Sequence, residues 1–146
     1  MNKLKKLRKI FKIYKLDGYI VPKNDEFFGE YVDEGHDRLK YISSFSGSAG
    51  YAIILRNNSY LFVDGRYTLQ AKKESGKNFK IIEIHKSKPS KILSKILIKI
   101  KIGFDPKLHS KKQLNFLNKK SLEKPIFNVS GGGPSSFSLK DLSLWC

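Results

Sequence analysis

The sequence predicts an α/β domain, a mixed β-sheet flanked by helices. Three observations carry that expectation. A basic amphipathic pattern opens the chain, a glycine-punctuated hairpin follows it, and strand-like and helix-like runs then alternate to about residue 129. At 146 residues the chain is long enough for one domain with a proper core and too short for two comfortable ones.

Lys3 to Lys15 spaces Leu4, Leu7, Phe11 and Tyr14 by three and four, the stripe of an amphipathic helix whose other face is almost wholly Lys. Such a helix either lies on a membrane surface or packs on a sheet. Packing is expected, because a strand pattern starts directly afterwards. Lys also interrupts every would-be apolar core of a secretory signal. Gly18 to Val21 is a short apolar strand stopped by Pro22. The following loop holds Asn24, Asp25, Phe27, Phe28 and Gly29; the two rings either cover a partner surface or tuck into the core.

Asp33-Glu34-Gly35-His36-Asp37 gathers three carboxylates and an imidazole, donors suited to manganese or zinc. Consecutive residues point in divergent directions, and no second cluster completes the roughly four to six donors a metal takes. Asp37 is instead expected to cap a short helix through Leu39 and Ile42.

The chain turns on Phe45-Ser46-Gly47-Ser48-Ala49-Gly50, where Gly47 and Gly50 permit a tight turn of low bulk. Tyr51 to Arg56 and Tyr60 to Val63 read as two strands joined at Asn57-Asn58, a pair that tolerates the positive φ of a two-residue hairpin. Asp64-Gly65 closes the second strand. A helix begins at Arg66 or Tyr67, runs to Glu74 and ends at Ser75-Gly76, a favourable C-terminal signal. Ser48 is no nucleophile elbow: that turn needs Gly two residues before the serine, position 46 is Ser, and no His nearby supplies a base.

Lys80 to His85 reads as a strand. Pro89-Ser90 then starts a helix with Ile92, Leu93, Ile96 and Leu97 on one face. Lys99 to Ile102 alternates as a strand and exits through Gly103-Phe104-Asp105-Pro106. His109 to Lys119 is a second basic helix, and Pro125 to Val129 a last strand. His85 and His109 stand single in sequence and are expected at the surface or in packing. Domain 1–129 is followed by a Gly/Ser-rich tail, 130–146, expected to be poorly ordered. Its glycines make no phosphate loop, since no Gly-Lys-Ser/Thr follows.

The net charge is +16. Nucleic acid or an anionic membrane is one reading of that number. Only four of the 29 basic residues are Arg, however, and base or phosphate readout favours the planar Arg fork over a dispersed Lys coat. Nucleic acid is therefore disfavoured, and no run of about 18 apolar residues exists to span a membrane. A single cysteine, Cys146, forms no internal disulfide and fits a reducing cytoplasm.

Phe45-x-Gly47-Ser48-Ala49-Gly50 followed by Asp64-Gly65-Arg66-Tyr67 resembles the N-terminal domain of Xaa-Pro aminopeptidases, in the creatinase/prolidase group. Three other stretches resemble it in the same order: Leu16 to Pro22, Asp25 through Glu30-Tyr31-Val32, and Asp37-Arg38 before Ile42-Ser43. The resemblance runs from about Lys3 to Val129. It implies a ribonuclease-H-like arrangement without nuclease chemistry.

In that family a second, usually larger domain of pita-bread fold holds two divalent metals, manganese being expected, on two Asp, one His and two Glu. Nothing resembling it follows here. Metal-assisted hydrolysis needs a convergent cage, whereas the three His and thirteen acids of this chain are scattered. The resemblance thus implies a non-catalytic domain without a cofactor of its own, from a truncated, frameshifted or split gene. Its expected partners are a missing or separately encoded catalytic domain and a second copy of the chain. Peptide would be bound only by the intact enzyme. Arg66, Tyr67, Asp64 and the turn residues Phe45, Gly47, Ser48 and Gly50 are the candidates for the substrate-cleft rim or domain interface. Arg66 is read either as a cation on that rim or as the partner of Asp64. A rival reading, a stand-alone basic module for peptides or nucleic acid, predicts binding that weakens steeply with salt.

Overall fold

The computed structural model describes residues 3–23, 37–87, 100–103 and 127–130. Helix α1 spans Lys3–Tyr14. Its buried stripe is Leu4, Leu7, Ile10 and Phe11, while Ile13 on the far side is 66% exposed. Ile10 joins the stripe because it lies three residues beyond Leu7. The helix ends in a residue no glycine rule would flag: Lys15 takes φ 54°, and the Leu16 N–H reaches back to the Phe11 carbonyl at 2.8 Å. That is the 6→1 bond of a Schellman ending, here with buried Leu16 following the left-handed residue.

Strand β1 (Gly18–Pro22) is buried throughout. Helix α2 is Arg38–Ser43, β2 is Gly50–Leu55 and β3 is Ser59–Val63. A 3₁₀ turn at Gly65–Tyr67 leads into α3, Thr68–Ser75. Strands β4 (Lys80–Glu83), β5 (Ile100–Gly103) and β6 (Phe127–Ser130) complete the described elements. The sheet order is β4-β3-β2-β1-β5-β6. Strand β2 pairs antiparallel with both neighbours, and the other pairings are parallel. A mixed sheet with this one reversed strand is the ribonuclease-H-like arrangement that the sequence led us to expect.

Alternation along the strands decides what faces the helices. Tyr19 and Val21, Ala52 and Ile54, and Leu61 and Val63 share one core cluster with Leu4, Leu7, Ile10 and Phe11 of α1, Leu39 and Ile42 of α2, and Ala71 of α3. The first helix is therefore packed on the sheet. Among the described residues no helix is long and apolar enough to cross a membrane.

Two local expectations need correction. The β2–β3 register pairs Ile54 with Ser59, and the Leu55 N–H meets the Asn58 carbonyl at 2.7 Å. The two central turn residues are thus Arg56 and Asn57, not Asn57-Asn58, and neither takes a positive φ. Pairing with β1 on one side and β3 on the other sets the register, and Arg56 is tied down besides. Its Nε and Nη2 donate to the Leu16 carbonyl at 3.2 and 3.1 Å. Helix α3 ends at Ser75-Gly76 as expected, with Gly76 right-handed at φ −60°. Finally, β4 stops at Glu83, short of His85, because its partner β3 ends at Val63. The Lys86 N–H then turns back onto the Glu83 carbonyl. The aromatic pair Phe27-Phe28, the acidic run from Asp33 to His36, the helices expected at 89–97 and 109–119, and the tail 130–146 apart from Ser130, the last residue of β6, lie outside the described residues.

Candidate functional site

The C-terminal ends of the parallel strands share one edge of the sheet with the start of β2, and the conspicuous motifs collect there. Asp37 holds the approach. Its Oδ1 accepts the Lys40 N–H at 3.0 Å, capping α2 as expected, while Oδ2 pairs with the Lys23 ammonium that follows β1. Both side chains are nearly buried, 10% and 6% exposed, so this pair ties the base of the β1–α2 connection. Helix α2 ends at Ser44 in a left-handed conformation, φ 67°. The Ser43 hydroxyl donates to the Leu39 carbonyl and accepts the Phe45 N–H. Ser75 of α3 donates to the Ser43 carbonyl at 2.8 Å.

Phe45 was a rim candidate, and its side chain is buried instead. It meets Tyr67 edge to face, ring centroids 6.1 Å apart at 80°. An apolar ring of this size gains more from the core than from water. Gly47 lies directly over that ring, where a Cβ would overlap Phe45 Cζ. Gly50 has φ +155°, and a Cβ there would sit 2.8 Å from the Phe62 carbonyl oxygen. The two glycines therefore serve close approach of backbone to the core, and what the turn presents to solvent is Ser46, Ser48 and Ala49.

Ser48 Oγ lies 2.6 Å from the Tyr67 hydroxyl, so the structure brings those two candidates together across 19 residues. Ser46 donates both its N–H and its hydroxyl to the Glu74 carboxylate, at 2.9 and 2.6 Å. Gln70 donates to Ser46 Oγ at 2.9 Å and to Glu74 at 3.3 Å. Partial desolvation alone would raise the Glu74 pKa. The Ser46 hydroxyl and N–H, then Gln70, then the Lys40 charge outweigh it, and the net direction is down. Ser46, Gln70 and Glu74 escaped the sequence reading. Their only signal was the i, i+4 spacing of Gln70 and Glu74.

Asp64 sits at the other side of Tyr67. It accepts the Arg66 N–H at 3.0 Å, starting the 3₁₀ turn, and pairs with Arg66 Nε at 3.2 Å. The Arg66 N–H, followed by the Arg66 side chain and the His85 charge, outweighs desolvation and holds the Asp64 carboxyl below its ordinary pKa. His85, expected at the surface or in packing, is 77% exposed and comes within 3.9 Å of Asp64 Oδ2. Arg66 remains 75% exposed and lies over the Tyr67 ring, 5.5 Å from its centroid. Both readings of Arg66 are thus compatible in one conformation: a solvent-facing cation, oriented by Asp64.

Chemically, this edge offers hydroxyls, a carboxylate network and an oriented guanidinium. Among the described residues no group of three His, Cys, Asp or Glu is placed to hold a metal ion. The nearest pair, Asp64 and His85, has its carboxylate already bonded to Arg66. These residues do not fit a two-metal centre.

The model of the Creatinase/Prolidase N-terminal domain matches residues 3–131. A probable Xaa-Pro aminopeptidase P of Laccaria bicolor is 43% identical over 82 residues, 56% of this chain and 13% of that protein. Xaa-Pro aminopeptidase 1 of Dictyostelium discoideum is 41% identical over 114 residues, 75% of this chain and 18% of that protein. The chain therefore spans less than a fifth of these curated relatives. Among solved structures, the X-prolyl aminopeptidase of Caenorhabditis elegans, described as a cytosolic enzyme with a di-nuclear active site, superposes with a TM-score of 0.73 at 25% identity. That match covers 90% of this chain and 24% of the enzyme. The N-terminal domain of the peptidase PepQ from Mycobacterium tuberculosis gives a TM-score of 0.64 at 19% identity, covering 90% of this chain and 92% of that one. On the match over residues 3–131, and with a fold shared with isolated N-terminal domains, this chain belongs to the creatinase/prolidase N-terminal domain family.

Proposed function

We propose that this chain is the non-catalytic N-terminal domain of a Xaa-Pro aminopeptidase-like metallopeptidase, shaping access to an active site built by another domain. The observation that carries the proposal is the extent of the match: relatives named as Xaa-Pro aminopeptidases correspond to this chain over only 13% and 18% of their length. The catalytic partner, joined or separately encoded, would hold the two divalent metals, with manganese the expected ion, and remove an N-terminal residue preceding proline. Arg66, Tyr67, Ser48 and Asp64 are the rim residues in this proposal, supported by the exposure of Arg66 and its orientation by Asp64. Phe45, Gly47 and Gly50 shape that rim from beneath. Dimer contacts belong to the same proposal. A cytoplasmic setting accords with one cysteine in 146 residues and with the cytosolic relative from C. elegans.

Two measurements test it. The purified chain, supplied with manganese, is expected to leave Xaa-Pro peptides intact; metal-dependent turnover would overturn the non-catalytic reading. Substituting this chain for the matching segment of the D. discoideum enzyme tests the rim. There Arg66→Ala is expected to lower kcat/KM by about tenfold through KM, as loss of an oriented charge contact does. Unchanged kinetics in a folded chimera would remove Arg66 from the rim.

A further inference from the structure

The opposite end of the sheet carries a second feature, remote from the rim. Strand β3 runs five residues from Ser59 to Val63, so the two ends lie roughly 13 Å apart. A groove of about 350 Å³ opens there between the first turns of α1, the β2–β3 turn and the α3–β4 connection. It is large enough for a small ligand. Four cationic side chains line it, Lys5, Arg8, Lys77 and Lys80, and among the described residues no carboxylate does. The C-terminus of α3 contributes about half a negative charge, which four cations outweigh.

Arg8 is the informative member. Its Nε donates to the Leu55 carbonyl at 3.0 Å and its Nη2 to Ser59 Oγ at 2.9 Å. Both acceptors are neutral. Burial lowers the Arg8 pKa, and among the described residues this partly desolvated guanidinium is given no carboxylate partner. Such a group is stabilised by whatever negative ion enters beside it.

Charge together with shape favours one kind of ion. A planar carboxylate is recognised by the paired N–H groups along one edge of a guanidinium. On Arg8 the Nε–H and one Nη2 N–H are taken by Leu55 and Ser59, and the Nη1/Nη2 end stays open. The groove adds the ammonium groups of three exposed lysines and the neutral amides of Asn57, Asn58 and Asn78, more positive charge than one carboxylate balances. Point charges converging from several directions suit a tetrahedral, doubly charged oxyanion. Nucleic acid is a poor match, because among the described residues the lining ring, Phe79, is buried and unavailable for base stacking.

We propose that the groove between α1, the β2–β3 turn and the α3–β4 connection binds a small phosphate-bearing anion, with Arg8 as its fixed anchor and Lys5, Lys77 and Lys80 closing around it. The proposal is independent of the rim, and its failure leaves the family role untouched.

The test is a backbone amide NMR titration of the full chain at constant ionic strength, with inorganic phosphate, glycerol 2-phosphate and acetate in turn. Saturable shifts confined to the amides of Arg8, residues 57–59 and residues 77–80 are expected. Saturation by inorganic phosphate alone assigns free phosphate; saturation by both assigns a phosphate monoester. Lys77→Ala, at an exposed position, is expected to weaken binding about fivefold and Arg8→Gln about tenfold. Lys77→Ala keeps the test alive if Arg8→Gln unfolds the protein. Shifts that do not saturate, that spread over lysines elsewhere, or that acetate reproduces would overturn the proposal. Tighter binding of a DNA oligonucleotide with steep salt dependence would overturn it too.

Discussion

The hydroxyls of Ser48 and Tyr67 lie 2.6 Å apart, joining the glycine turn before β2 to the 3₁₀ turn after β3. Two sequence motifs become one surface through that bond. Tyr67 also packs edge to face on buried Phe45, so the surface is braced by the core beneath it.

Tyr67→Phe removes the bond and keeps the packing. A loss of about 0.5–1.5 kcal/mol is expected from urea denaturation, with Ser48→Ala costing a similar amount. The double variant should cost little more than either alone, because both remove the same interaction. Full additivity would show that the bond contributes nothing in solution.

Gly50→Ala places a methyl 2.8 Å from the Phe62 carbonyl oxygen at φ +155°. A destabilisation of about 1–3 kcal/mol is expected from the backbone strain. Gly47→Ala, where a Cβ overlaps the Phe45 ring, should cost a similar amount by overpacking. Phe45→Leu in the Gly47→Ala background should recover part of it, since the offending ring is gone. Thermal unfolding of the three variants decides the point.

Asp37→Ala is expected to be the most damaging single change at this edge. It strands the Lys23 ammonium, 10% exposed, a loss of about 3–5 kcal/mol for a broken buried pair. It also removes the α2 cap, about 1 kcal/mol. Asp37→Asn keeps the cap and loses the charge, so it should fall between. Lys23→Met in the Asp37→Ala background should restore the stability lost with the ion pair, though not the cap's share. Equal stability of Asp37→Ala and wild type would contradict the burial of this pair.

Glu74 and Asp64 both have folded-state pKa values below their ordinary 4.5 and 3.8. A depressed carboxylate binds its proton less readily when folded than when unfolded. Stability from these groups is therefore complete above the ordinary values and is lost as pH falls through the folded ones. Glu74→Gln should flatten the stability profile in that acidic window and leave its slope near neutrality unchanged. An unaltered acidic slope would show that the Ser46 and Gln70 bonds do not hold the charge.

Local pattern was sufficient for the class and order of the described elements. The stripe of α1, the apolar runs of β1 to β3 and the capping carboxylate of Asp37 are all short-range signals, set by side-chain periodicity and by groups three residues apart. The motifs Phe45 to Gly50 and Asp64 to Tyr67 were legible for the same reason, and with them the family. Which of those residues face solvent was not legible. Phe45 disappears into the core because α2, α3 and the sheet close around it. The hairpin turn moves to Arg56-Asn57 because β1 and β3 together set the register of β2. Lys15 ends α1 left-handed against the residue preference for glycine. The Ser46–Glu74 and Arg8–Ser59 contacts span 28 and 51 residues, and no periodicity reports such distances. Residue spacing along the chain fixed what each segment becomes; only packing, which trades side-chain exposure for core volume across the whole domain, decided which atoms meet.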